Sequence, residues 1–86
     1  MFFRMVAVKD TRVSSFMIPQ ATTHIAGTLR AWTDSVRDPQ TDFAKHPEDY
    51  ELWHLCDFDD ETGLFHPLPN GPERIARALD LVPTAN

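Results

Sequence analysis

Two strand-forming runs, residues 2–9 and 50–58, constrain this chain most. Each is rich in apolar, aromatic and β-branched residues, and each runs into a turn signal. The first ends at Asp10-Thr11. The second ends at Asp59-Asp60-Glu61-Thr62-Gly63, where Gly63 suits the positive φ of a three-residue hairpin loop. A returning strand follows each turn, residues 13–18 and 64–68, and Pro19 and Pro69 stop them.

A helix is predicted after each proline. Over residues 20–36, Ile25, Leu29, Trp32 and Val36 form one stripe of a 3.6-residue period. Thr22 or Thr23 is placed to cap it, and Asp38-Pro39 ends it. Asn70-Gly71-Pro72-Glu73 reads as a second helix start, with Ile75, Ala78, Leu79 and Val82 as the apolar side and Pro83 as the stop. Shifting the chain by 50 residues aligns Asp10 with Asp60, Pro19 with Pro69, Ile25 with Ile75, Ala26 with Ala76 and Leu29 with Leu79. The order is therefore ββα-ββα in a single domain, 1–86. It comprises one unit at 1–38, a connecting loop at 39–49 and a second unit at 50–86. The expected class is α+β, a four-stranded, mainly antiparallel sheet with two helices on one face.

Eighty-six residues, 42% of them hydrophobic, are enough for one packed core and too few for a catalytic domain beside a binding domain. A single cysteine excludes an internal disulfide. The longest apolar run, residues 5–8, is far short of a membrane span, and the opening Met1-Phe2-Phe3-Arg4 lacks the regions of a signal peptide. The expectation is a soluble intracellular domain with no membrane partner.

The net charge of −5 hides an asymmetry: residues 1–37 carry +3 and residues 38–86 carry −8. The acidic total argues against tight duplex binding, whose affinity comes from Lys and Arg on phosphates. It leaves room for a local basic face, and for self-association between unlike halves.

A two-layer fold leaves one sheet face without helices. Alternation divides the first strand into Phe2, Arg4, Val6 and Val8 against Phe3, Met5, Ala7 and Lys9. It divides the third into Leu52, His54, Cys56 and Phe58 against Glu51, Trp53, Leu55 and Asp57. Burying Val6, Val8, Leu52 and Phe58 leaves Phe3, Met5, Trp53 and Leu55 on the open face. Three readings compete for that patch. The loop 39–49 or a terminus covers it; a second copy covers it; or it is a stacking platform for single-stranded nucleic acid, with Phe3 and Trp53 under bases and Arg4 or Lys9 near phosphates.

Other candidates carry less. His54, Cys56 and His66 would share a face in an even hairpin register, but a fourth zinc ligand is missing and a core thiol is the plainer reading. The acids at 57–61 do not match a calcium loop. His46 beside Glu48 and Asp49 has no accompanying nucleophile, and no phosphate-loop or nucleophile-elbow motif occurs. Neither a cofactor, a metal nor catalysis is expected.

The block Asp42-Phe43-Ala44-Lys45-His46-Pro47-Glu48-Asp49-Tyr50-Glu51-Leu52-Trp53, continuing to Phe58-Asp59-Asp60-Glu61-Thr62-Gly63, resembles the small nonstructural protein of single-stranded-DNA microviruses of the gokushovirus branch. The strand before Asp10, the stretch from Phe16 to Pro19 and Ala31-Trp32 share that resemblance, which covers nearly the whole chain. It implies a phage early protein made in the cytoplasm of the bacterial host, absent from the capsid. Such proteins are often labelled DNA-binding or assigned to single-stranded genome synthesis. The matched residues are Phe43, His46, Pro47, Asp49, Tyr50, Asp59, Asp60 and Gly63, most of which look like loop anchors and turn formers.

Together these point to a nonenzymatic, oligomeric accessory of phage DNA replication or single-stranded DNA synthesis that binds single-stranded DNA, weakly and locally, or a replication partner. Phe3 and Trp53 would stack, and Arg4, Lys9, Arg12, Arg30 and Arg37 would supply phosphate contacts. The competing expectation is a protein-interaction module that engages phage replication or assembly proteins without touching DNA.

Overall fold

The two long runs pair with each other. In the computed structural model, which describes residues 1–83, β1 (Phe2–Asp10) and β4 (Tyr50–Asp59) lie antiparallel along their whole length at the centre of a sheet. The free edge of β1 is paired by β2 (Ser15–Phe16) near its end and by β3 (Gln20–Thr22) near its middle. The free edge of β4 is paired by β5 (Leu64–Pro67) and β6 (Glu73–Arg77) in the same way. Every pairing is antiparallel, and the sheet has six strands rather than the expected four.

Proline accounts for the extra strands. A ring nitrogen cannot donate to a ladder, so each returning strand breaks where prolines fall. Pro19 separates β2 from β3. Pro69 and Pro72 separate β5 from β6, around a turn in which Gly71 takes φ +78° and donates its N–H to the Leu68 carbonyl (3.0 Å). The repeat seen in the sequence is thus a repeat of hairpins: a long strand, a turn, and a partner in two pieces.

The repeat does not extend to the helices. α1 (Ile25–Arg37) forms with the expected stripe inward: Val36 is fully buried, Trp32 nearly so, and Leu29 packs beside them. It starts later than residue 20 because Gln20–Thr22 joins the sheet, and its N-cap is His24 rather than a threonine, with no side-chain cap bond. Asp38 ends it ahead of Pro39, as expected.

No second helix forms over 72–82. Residues Glu73–Arg77 are β6, followed by a 3₁₀ turn at Ala78–Asp80. A helix of three turns is marginal by itself, whereas β6 satisfies the backbone of β4 along an edge that would otherwise be bare. The second helix is instead the four-residue α2 (Asp42–Lys45), within the expected loop. Thr41 caps it, its hydroxyl accepting from Ala44 N–H (3.2 Å). A 3₁₀ turn at Pro47–Asp49 then leads into β4.

The core lies on the α1 side of the sheet. Trp32, Val36, Leu52 and Ala78 form its centre, with Val8, Tyr50, Ile75 and Ala76 packed around them. Phe43 stands edge-on to both Trp32 (5.7 Å) and Tyr50 (4.9 Å). The segment 39–49 is therefore part of this core and does not cover the open face. No described helix is long and apolar enough to cross a membrane.

Candidate nucleic-acid interface

One extra residue decides what the open face carries. Val6 pairs with His54 but Met5 pairs with Cys56, so Leu55 is a bulge in β4. Beyond it the alternation of β4 is reversed. Val8, Leu52, Val6 and His54 lie on the helix face as the alternation predicts. Cys56 and Phe58 follow Met5 and Phe3 onto the open face, correcting the expected burial of Phe58. The same shift parts His54 from Cys56 and removes the shared face on which a His54, Cys56 and His66 metal site depended.

The open face then has two aromatic stations. At one end Phe3 pairs with Phe58, and Phe58 lies against Phe65 (4.8 Å between centroids) in a row across three strands. Phe65 is 61% exposed. At the other end Phe16 meets Trp53 edge-on (6.0 Å), and Lys9 Nζ stands 5.4 Å from each ring. Trp53 Nε1 donates to Glu51 Oε1 (3.1 Å), and Arg74 Nη1 donates to Glu51 Oε2 (3.2 Å). Glu51 thus fixes the indole and a guanidinium together. Arg77 is on this face by register with Glu51, and both of its bonded nitrogens donate to Asp80 (2.9 Å each). From Phe3 to Lys9 the surface runs about 20 Å along β1.

Charge divides between the faces. Among described strand residues, the open face holds Lys9, Arg74 and Arg77 against Glu51 alone. The helix face holds Arg4 against Asp10, Asp57, Asp59 and Glu73. Most of the strand acids therefore lie on the helix face, while Asp80, in the 3₁₀ turn after β6, is bonded to Arg77. Between the two stations lies Cys56, whose thiol is pushed above its usual value by burial and, less, by Asp57.

The residues singled out in the sequence are only partly gathered. Phe3, Lys9 and Trp53 share the open face. Arg4 lies on the other, its Nε 4.0 Å from Asp57 Oδ1, which is also 2.8 Å from His54 Nε2. Arg12 is exposed in the turn after β1, where its N–H donates to Asp10 Oδ1 (3.0 Å). Arg30 and Arg37 are on α1, across the sheet, and Arg37 Nε donates to the Leu81 carbonyl (2.9 Å). Phe16, Phe58, Phe65, Arg74 and Arg77 were missed. Arg74 and Arg77 were hidden in an expected helix, and Phe58 moved with the bulge. The strand reading of residues 13–18 and 64–68 already contained Phe16 and Phe65.

The family-like block plays the anchoring part expected of it. Phe43 and Tyr50 pack in the core, and Pro47 opens the 3₁₀ turn. Thr11 donates its N–H (2.8 Å) and hydroxyl (3.1 Å) to the Asp49 carbonyl, tying the turn after β1 to the start of β4. His46, Glu48 and Asp49 bring one donor atom each to within 4.8 Å of one another on this turn. At the far end Gly63 takes φ +76° and donates to the Asp59 carbonyl (2.8 Å), closing the hairpin.

A family model described as "Phage ORF5 protein" matches residues 3–81. No curated protein and no solved structure matches the chain.

Proposed function

The chain belongs to the phage ORF5 protein family, and on that premise we propose that it is a nonenzymatic accessory of phage genome replication or single-stranded DNA synthesis. It acts in the cytoplasm of the bacterial host and binds single-stranded DNA weakly on its open sheet face. One observation carries this reading: the helix-free face combines two aromatic stations with three cations and a single strand acid. Bases stack on Trp53, Phe16, Phe3, Phe58 and Phe65, a mode indifferent to sequence because every base has a π-face. Lys9 and Arg74 meet phosphates, as does Arg77 once released from Asp80. The overall acidity keeps binding local and salt-sensitive.

The test is a fluorescence titration of Trp53 with an oligothymidylate at low (~25 mM) and moderate (~200 mM) salt. Two or three phosphate contacts predict a loss of about 20- to 80-fold in affinity between the two. Absence of binding at the lower salt would sink the proposal.

A second reading has its own observation. Val13, Met17 and Ile18 expose apolar surface beside β2, with Ile18 88% exposed. Such surface suits a protein partner in replication or assembly, or a second copy of the chain. Light scattering over a concentration series distinguishes monomer from homo-oligomer.

A further inference from the structure

Among the described residues, His54 alone is both titratable and buried, at 8% exposure, and it adjoins the bulge that turns β4 over. Its Nε2 stands 2.8 Å from Asp57 Oδ1. A carboxylate only accepts, so Nε2 carries the proton and donates. In an uninterrupted strand, residues three apart point to opposite faces and cannot meet. His54 and Asp57 share the helix face because Leu55 is extra: Val6 pairs with His54, Met5 with Cys56 and Arg4 with Asp57. Their bond therefore exists only in the bulged register. Arg4 also faces Asp57, its Nε 4.0 Å from the accepting oxygen, and Glu73 of β6 lies opposite His54.

Without the extra residue the pairing would differ in a definite way. With Val6 kept opposite His54, Phe3 would stand opposite Asp57, and Phe2 opposite Phe58. Asp57 is paired with His66 and Phe58 with Phe65, so β5 would turn over together with this half of β4. Phe58 and Phe65 would leave the open face, and Asp57 would enter it beside Phe3. That register restores the ladder that a bulge interrupts, so the bulged one must draw on contacts that the other lacks.

We infer that His54 and Asp57 are positioning residues for the open face: their hydrogen bond selects the bulged register and so holds Phe58 and Phe65 beside Phe3. A contact present in only one of two states shifts the balance by its whole strength, and a hydrogen bond to a charged group is worth about tenfold or more. The Met1 amino group, bonded to Asp60 (2.8 Å), also fits this register, but both groups are largely exposed and water competes for their bond. The positioning role rests on the DNA reading; the choice of register does not.

The experiment uses the isotope-labelled full-length chain near neutral pH. It reads nuclear Overhauser contacts between rings, with an oligothymidylate titration at low salt beside them. The unaltered chain should show contacts between Phe3 and Phe58 and a slowly exchanging His54 Nε2 proton. Asp57→Ala should leave the bulged register in the minority, so that contacts between Phe2 and Phe58 replace those between Phe3 and Phe58. Its affinity for oligothymidylate, scaled by the competent fraction, should fall about tenfold. Loss of an acid would by charge alone strengthen binding, so the weakening reports the register. Asp57→Asn loses the same charge but keeps an acceptor oxygen, and should retain both the Phe3 contacts and the affinity. Contacts between Phe3 and Phe58 that persist as the main set in Asp57→Ala would overturn the inference, whatever the affinity. Absence of oligothymidylate binding by the unaltered chain would overturn the DNA reading and the positioning role with it, while the ring contacts still decide the register. If Asp57→Ala does not fold, His54→Leu takes its place with the same two outcomes. A His54 Nε2 proton that exchanges freely in the unaltered chain would by itself overturn the proposal.

Discussion

The two faces of this sheet are built from the same strands and do opposite work. The helix face gathers Val8, Leu52 and Ala76 against Trp32 and Val36 and takes most of the strand acids. The open face carries aromatic rings that only strands support, with Lys9, Arg74 and Arg77 around them. The helix face holds the molecule together, while the open face keeps its rings in ordered rows that are half-buried, as at Phe3, Trp53 and Phe58, or exposed, as at Phe16 and Phe65. The difference shows how an acidic chain of this size keeps a basic aromatic surface. Alternation along a strand sends neighbouring residues to opposite sides, so a −5 molecule can segregate its charge without segregating its sequence.

The contrast can be broken most sharply at its core. Leu52→Ala should cost about 2–4 kcal/mol in urea unfolding, because Leu52 is buried at the centre of the packing. Phe65→Ala, across the sheet and well exposed, should cost less than about 1 kcal/mol. Comparable losses at both sites would mean that the open face is packed and not free.

Next in size is the binding contrast. Trp53→Ala with Phe3→Ala should weaken oligothymidylate binding by about tenfold or more, a stacking platform being worth 1–3 kcal/mol per base. Lys9→Gln should flatten the salt dependence by about one phosphate contact, whereas Arg30→Gln, on α1 across the sheet, should leave it unchanged. Equal effects from Lys9 and Arg30 would place the DNA elsewhere.

The smallest expected effect concerns pH and the hairpin tip. The Glu61 N–H holds the Asp59 carboxyl below its usual value, with help from the Thr62 hydroxyl. A carboxyl depressed in the folded state stabilises above its unfolded pKa and loses that contribution as the pH falls through the lower folded value. The Met1 amino group, raised chiefly by its bond to Asp60 (2.8 Å), behaves inversely: its contribution is full below the ordinary amino range and is lost as the pH rises through the folded value. Amide exchange in residues 1–3 and 58–64 should therefore be slowest between about pH 5 and pH 8 after correction for intrinsic rates. Asp59→Asn should remove the acid limb and, because Asp59 also helps to raise the Met1 amino group, weaken the basic limb slightly.

Much of this was legible in the residues. The two long strands, the Asp59–Gly63 turn and the α1 stripe each rest on local chemistry: β-branched and aromatic runs, a glycine at positive φ, a 3.6-residue period. Phe3, Lys9 and Trp53 were found on the open face because β1 alternates without interruption and Trp53 precedes the bulge. Phe58 was misplaced because a bulge leaves no mark in a run that remains apolar on both sides of it. Arg74 and Arg77 were missed because Ile75, Ala78, Leu79 and Val82 fit a helical stripe, while the free edge that recruits them belongs to a strand some 20 residues earlier.

By itself, then, the sequence determined that residues 2–9 and 50–58 are extended, where the chain turns and where proline forbids a ladder, since these depend on each residue's own backbone and its near neighbours. The tertiary structure alone decided that residues 73–77 pair as a strand, that the segment carrying Phe43 packs on the α1 side rather than over the open face, and that the bulge at Leu55 sends Phe58 outward. Each of those outcomes depends on satisfying backbone groups or filling space contributed by distant parts of the chain. No local propensity of about 1 kcal/mol outweighs a bare strand edge.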